Sequence, residues 1–149
     1  MLTVEDSATR SPREVVQEFL STVRLSGDDL AAERVLAPAV ECHQVIAVDE
    51  VTVTRTPHQY AEHVRDMRRA FGRFHFSVEE LLVDGDRVYV RWRQRGHHLG
   101  HIDGHPPTGS PLVEVGSAVY RVSSGRIVEY WVQLDRAGLT AQLERAVTT

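Results

Sequence analysis

The chain has no lysine and no asparagine, a single cysteine and no long apolar run, and each of these gaps removes a class of chemistry. Without lysine there is no side-chain amine to form a Schiff base with a carbonyl substrate, and the 17 basic residues are all arginine. The lone Cys42 excludes an internal disulfide. Neighbouring positions on a strand face opposite ways, so Cys42 and His43 point apart, and Cys42 is expected as buried packing rather than as a nucleophile. No stretch approaches the roughly 20 apolar residues that cross a bilayer. The polar start, Met1 to Arg13, lacks the apolar core of a signal peptide, so a cytoplasmic protein without a membrane partner is expected. A formal charge of -4 offers no basic field for nucleic acid, and neither a dinucleotide fingerprint nor a phosphate loop is present, so no cofactor is expected.

What is present reads as one domain over residues 1–149, with residues 1–10 as a flexible arm. Ser11-Pro12 is a helix start, and Val15, Val16, Phe19, Leu20 and Val23 follow at helical spacing until Gly27. Asp28 caps a second short helix that Pro38 ends. Val40 to Val48 and Val51 to Val53 look extended. Thr56-Pro57 then opens a third helix, with Tyr60, Val64, Met67 and Phe71 on one face and Gly72 as its stop. From there the period drops to two: Phe74 to Val83, a turn at Asp84-Gly85-Asp86, and Arg87 to Arg95. A loop from Gly96 to Pro111 precedes two more strands, Leu112 to Val122 and Arg126 to Leu134, and a last helix through Leu139 and Leu143. Helices first and an antiparallel meander after predict an α+β fold in which helices lie across a curved sheet and leave room for a ligand.

An ordered set of short motifs fills the second half. It reads Val90-Arg91-Trp92, then Gly96-His97-His98-Leu99-Gly100, Pro106-Pro107-Thr108-Gly109, Gly125-Arg126-Ile127-Val128-Glu129, Trp131 through Asp135, and Gly138-Leu139 with Gln142-Leu143. In this order the set resembles the SnoaL-like polyketide cyclases, from about Asp84 to Leu143. The resemblance implies a cone-shaped α+β barrel, its N-terminal helices packed across a curved, mostly antiparallel sheet. It also implies ring closure by general acid-base catalysis on a hydrophobic small molecule in polyketide-type secondary metabolism, and a homodimer. The family's general base, an aspartate at the end of the tryptophan-containing strand, falls on Asp135, and its loop histidine on His98. Two departures stand out: the pocket asparagine of the family has no counterpart here, and His105 replaces the usual apolar residue before Pro106.

The residues themselves leave alternatives open. Asp135 shares strand parity with Ile127, Glu129, Trp131 and Gln133, so it lies at a cavity rim if that row faces inward; otherwise it caps the final helix. His97, His98, His101 and His105 crowd one loop, where His98 and His101 are candidates to protonate or hold an oxygen; their irregular spacing suits a solvated loop better than a metal site, and no metal is expected. His43, Trp92, Trp131, Gln133, Tyr60, Tyr89 and His105 are candidate substrate contacts, each also readable as packing; Tyr89, on the opposite strand face from Trp92, serves only if that face turns inward. Arg87, Arg91, Arg93 and Arg95 form a charged stripe, read as a solvated or dimer-facing surface. The same residues would also suit an enzyme that opens an epoxide to close a pyran or furan ring, or a ligand-binding module without turnover.

Overall fold

The computed structural model describes residues 10–148, so the arm proposed for residues 1–10 lies outside it except for Arg10. Arg10 is tied down: its guanidinium pairs with Glu18 at 2.7 Å and donates to the carbonyls of Arg34 and Gly125 at 2.9 and 3.2 Å. Helix α1 starts at Pro12–Glu18 under a reciprocal cap in which Ser11 Oγ accepts from the Glu14 amide at 3.1 Å and Glu14 accepts from the Ser11 amide at 2.9 Å. The helix widens into a π-helical turn, Phe19–Val23, and closes with Arg24–Ser26. Its buried residues fall in pairs four apart, Val15 and Val16, Phe19 and Leu20, Val23 and Arg24. A regular α-helix gains about 40° over each four-residue step; the wider turn takes up that drift and keeps Arg24 on the inner face.

Gly27 ends α1 in the left-handed region at φ 72°, where a side chain would also meet the Ala61 carbonyl at 2.7 Å. Helix α2 (Asp29–Val35) follows the Asp28 cap, and β1 (Leu36–Gln44) begins earlier than its composition suggests, with Pro38 inside the strand. Proline has no N–H for a ladder, and Pro38 sits where the pairing of β1 with its neighbour is interrupted, between Leu36 and Glu41. Strand β2 (Val51–Arg55) and helix α3 (Pro57–Phe71, with a Thr56/Gln59 reciprocal cap) match the sequence reading. So do β3 (His75–Asp84), β4 (Arg87–His97), β5 (Pro111–Ser123), β6 (Arg126–Leu134) and α4 (Arg136–Thr148), to within two residues at the strand ends.

The six strands form one open, unclosed sheet in the order β2-β1-β6-β5-β4-β3, antiparallel except for the parallel pair β1 and β6. The three N-terminal helices cover its concave face. Their apolar stripes and the inner rows of β4 (Val88, Val90, Trp92) and β5 (Leu112, Ala118, Tyr120, Val122) make the core. Phe19, Tyr60, Tyr120 and Tyr130 form its aromatic centre, with ring centroids 5.3 to 6.1 Å apart. Among the described residues no helix is long and apolar enough to cross a membrane.

Candidate active site

Where α3 arches away from the sheet, the cone holds a cavity of about 450 Å³. Tyr60, His63, Met67, Ala70 and Phe71 of α3 form one wall; Trp92, Glu114, Tyr120, Tyr130, Val132 and Leu134 of the sheet form the other. The exposed Val51, Val53, Asp66, His101 and Asp103 make the rim. Gly116 is required opposite Trp92: a Cβ there would lie 2.7 Å from the indole and 2.8 Å from Leu134.

Most of this lining is apolar or phenolic, and three groups on it are not at rest. Arg24 is 4% exposed, its Nη1 has no hydrogen-bond partner, and its guanidinium lies 4.7 to 5.7 Å from the ring centres of Phe74, Phe76 and Trp92. Trp92 is also buried, with its indole N–H unpartnered. Glu114 is 8% exposed, and burial raises its carboxyl above the ordinary range against the opposing pull of Arg24 and Arg136. Gln94, paired across the ladder with Glu114, is fully buried with both amide atoms unpartnered. Buried polar groups are normally paired, so such a concentration beside one cavity marks it as a place built for another molecule.

Burial, with Arg55 and Arg24 adding to it against Asp66, lowers His63 from 6.5 to about 4. It is therefore a neutral imidazole at neutral pH, able to accept a hydrogen bond through its unprotonated ring nitrogen. Burial also pushes the Tyr60 phenol up to about 12, and the phenols of Tyr120 and Tyr130 and the thiol of Cys42 upward, so all four keep their protons. Cys42 is buried, as expected of a packing residue.

Of the residues weighed for a role from the sequence, Tyr60, Trp92, His101 and the packing residue Cys42 line the cavity. The others do not, and one irregularity explains several of them. In β6, Ile127 pairs with Val122 and Glu129 with Arg121, which leaves Val128 as an extra residue. Ile127 faces inward before this bulge, and Tyr130, Val132 and Leu134 do so after it. The expected parity of Ile127 with Glu129, Trp131, Gln133 and Asp135 is therefore broken, and the last four stand on the outer side.

Asp135 is exposed and caps α4, its Oδ1 accepting from the Gly138 amide at 2.9 Å. Trp131 stacks on His43 at 5.3 Å between centroids, and His43 bonds Glu129 at 2.7 Å and Thr52 at 2.9 Å, so His43 lies on the outer face with Trp131. Gln133 is exposed there. Tyr89 belongs to the outer row of β4, which does not turn inward, together with the arginine stripe; Arg91 and Arg93 of that stripe face Glu80 and Glu79 at 3.6 and 3.5 Å. His98 is fully buried away from the cavity and pins the long loop, with Nε2 3.2 Å from the His105 carbonyl and Nδ1 3.3 Å from Thr108 Oγ1. His105 serves that loop through its backbone, paired with Ile102. Among the described residues no three His, Cys, Asp or Glu side chains stand close enough to hold a metal.

The sequence reading passed over Arg24, His63, Gln94 and Glu114. Two of them carried a signal: Glu114 interrupts the apolar row Leu112, Gly116, Ala118, Tyr120, and Gln94 the row Val88, Val90, Trp92. A polar residue in register with buried positions is the mark of an inward-facing functional group. His63 adjoins Tyr60 and Met67 on the inner face of α3. Arg24 left no such signal, because its orientation depends on the π-helical turn.

No curated protein sequence matches the chain. Among solved structures, a candidate polyketide cyclase of Acidithiobacillus ferrooxidans is 27% identical with a TM-score of 0.79, covering 93% of this chain and 97% of that one. IdmH, a candidate polyketide cyclase of Streptomyces antibioticus, is 26% identical with a TM-score of 0.74, covering 91% and 99%. An NTF2-like protein of Burkholderia thailandensis, 23% identical over 91% of this chain and 98% of that one with a TM-score of 0.70, shares the fold. The family model for SnoaL-like polyketide cyclases matches residues 14–143, through every strand that lines the cavity, and the chain belongs to that family.

Proposed function

We propose that the protein is a cyclase that closes a ring in a hydrophobic, polyketide-type small molecule by acid-base chemistry inside the cone, with Glu114 as the proton-transferring group. The observation that carries this reading is a buried carboxyl with a raised pKa on the wall of an aromatic cavity. Such a group takes an acidic carbon-bound proton more readily than an exposed carboxylate and gives it back to an oxygen. Tyr60 and Trp92 flank the substrate, the neutral His63 accepts a hydrogen bond from it, and His101 at the rim is a further polar contact. In this reading Asp135 holds α4 in place, and Glu114 has the role that the family resemblance gave to Asp135. The shape of the cavity folds the substrate for attack, and much of the rate comes from that positioning.

The test is deuterium uptake from heavy water into a panel of β-keto esters, followed by mass spectrometry. E114Q is expected to lose exchange by about 100-fold or more, the usual contribution of a positioned proton-transfer group, while D135N retains it. Exchange that persists in E114Q and vanishes in D135N would overturn the assignment. A carboxyl with a raised pKa also suits an acid that opens an epoxide, so closure of hydroxy-epoxides without exchange would move the reaction to that class. The outer face of the sheet, where Arg87 lies 4.9 Å from the Trp131 ring centre, is the surface on which we place a second copy; light scattering that finds only monomer at low micromolar concentration would count against the dimer.

A further inference from the structure

A guanidinium in a protein interior normally faces a carboxylate or fills its donor positions with carbonyls, because an unpaired buried charge costs several kcal/mol. Arg24 does neither at Nη1, and no ion pair joins it to a carboxylate among the described residues. Glu114, on the same cavity, feels its field without reaching it. The rings of Phe74, Phe76 and Trp92 hold the guanidinium in place, and the π-helical turn before Arg24 turns it inward. Such turns are frequent at functional sites. Beside it, Trp92 offers a second buried N–H with no acceptor, and both residues line the cavity.

We infer that Arg24 and the indole N–H of Trp92 form an anion subsite within the cavity, which takes a carboxylate or enolate oxygen of a planar apolar substrate. The subsite deepens the cyclase reading and rests on it for its place in a reaction: an enolate formed by proton removal carries its charge on oxygen, and a fixed guanidinium and indole donor are suited to hold that charge without rearranging. A carboxylate on the substrate would be held by the same donors, and the cavity's aromatic walls would take the ring. Gln94, buried between Phe76 and Glu114 in the ladder, is an adjacent reserve of donor and acceptor.

The experiment uses 2-naphthoate and methyl 2-naphthoate as probes, with binding followed by tryptophan fluorescence and calorimetry. The wild-type protein is expected to bind the carboxylate about tenfold or more tighter than the ester, as a charge-assisted hydrogen bond in a buried site allows. In R24M the preference disappears while ester binding persists. A second measurement needs no variant: carboxyl-labelled 2-naphthoic acid, followed by carbon-13 resonance, is expected to ionise at lower pH when bound than when free. Equal binding of carboxylate and ester by the wild-type protein, a preference that survives in R24M, or an unshifted or raised carboxyl titration would each overturn the subsite. None of these readouts involves turnover, so loss of exchange in E114Q and loss of carboxylate preference in R24M fail or succeed separately.

Discussion

The two faces of the sheet treat polar groups in opposite ways. On the outer face His43, Glu129, Arg121 and Thr52 form a closed network, with His43 bonded on both ring nitrogens and Glu129 bonded to His43 and to Arg121 at 3.0 Å. Partial burial opposes ionisation of Glu129, yet its bonds to His43 and Arg121 outweigh that and hold its carboxyl below the ordinary range. On the inner face Arg24, Trp92, Gln94 and Glu114 are more deeply buried and less well paired. A satisfied network on a partly exposed surface is complete in itself. An unsatisfied one around a cavity is not, and the contrast separates residues that hold the fold from residues that wait for a ligand.

The comparison is open to direct attack. The largest effect is expected from its two tryptophans: W92A should cost about 3–5 kcal/mol in urea unfolding, the usual cost of emptying a buried aromatic position, and W131A clearly less, because Trp131 is only half-buried. Equal losses would mean that the inner face is no more a core than the outer one. A smaller effect comes from pH. His63 is depressed to about 4, so between pH 6.5 and 4 the unfolded chain takes up a proton that the folded chain refuses, and stability falls as pH falls through that window. Thermal melts across it should be flatter in H63F than in the parent.

Glu114 acts with the opposite sign. Its raised carboxyl keeps a proton that the unfolded chain releases above 4.5, so stability declines as pH rises from there, and E114Q should be the more stable protein at neutral pH. An E114Q variant that melts lower than the parent at pH 7 would show that the inner carboxylate is structurally paired after all. The smallest effect is expected at the helix junction, where D135A removes the cap of α4 and should cost about 1 kcal/mol with no change in ligand binding.

Much of the fold was legible because local chemistry and tertiary demand agree. The Ser11 and Thr56 caps, the prolines after them, and the glycine stops at Gly27 and Gly72 place the helices. Strict alternation places the hairpin of β3 and β4, and the motif order from Asp84 to Leu143 points to the family that the comparisons show. The candidate site was far less legible. Tyr60 and Trp92 sit on regular elements whose period carries through to the cavity, and they were found. Trp131, Gln133 and Asp135 were put in one row with Ile127 by an alternation that Val128 interrupts, and a single extra residue has no signature in composition; His43, on β1, lies beside Trp131 in the ladder and shares its outer face. Arg24 was hidden by the same kind of defect in a helix, and His98 resembled a catalytic residue because a buried imidazole that pins a loop carries the same letter as one that moves a proton.

The bulge at Val128 gives β6 two possible readings. Straightened without loss of a residue, the strand would carry Glu129, Trp131 and Gln133 into the cone and put Tyr130, Val132 and Leu134 outside, a different active-site inventory from an unchanged sequence. Deleting Val128 would instead make the strand regular while every downstream side chain kept its present face. The contents of this cavity wall are thus set by strand phase as much as by residue identity, and a variant library that treats β6 positions as independent letters would miss the shortest route to new chemistry.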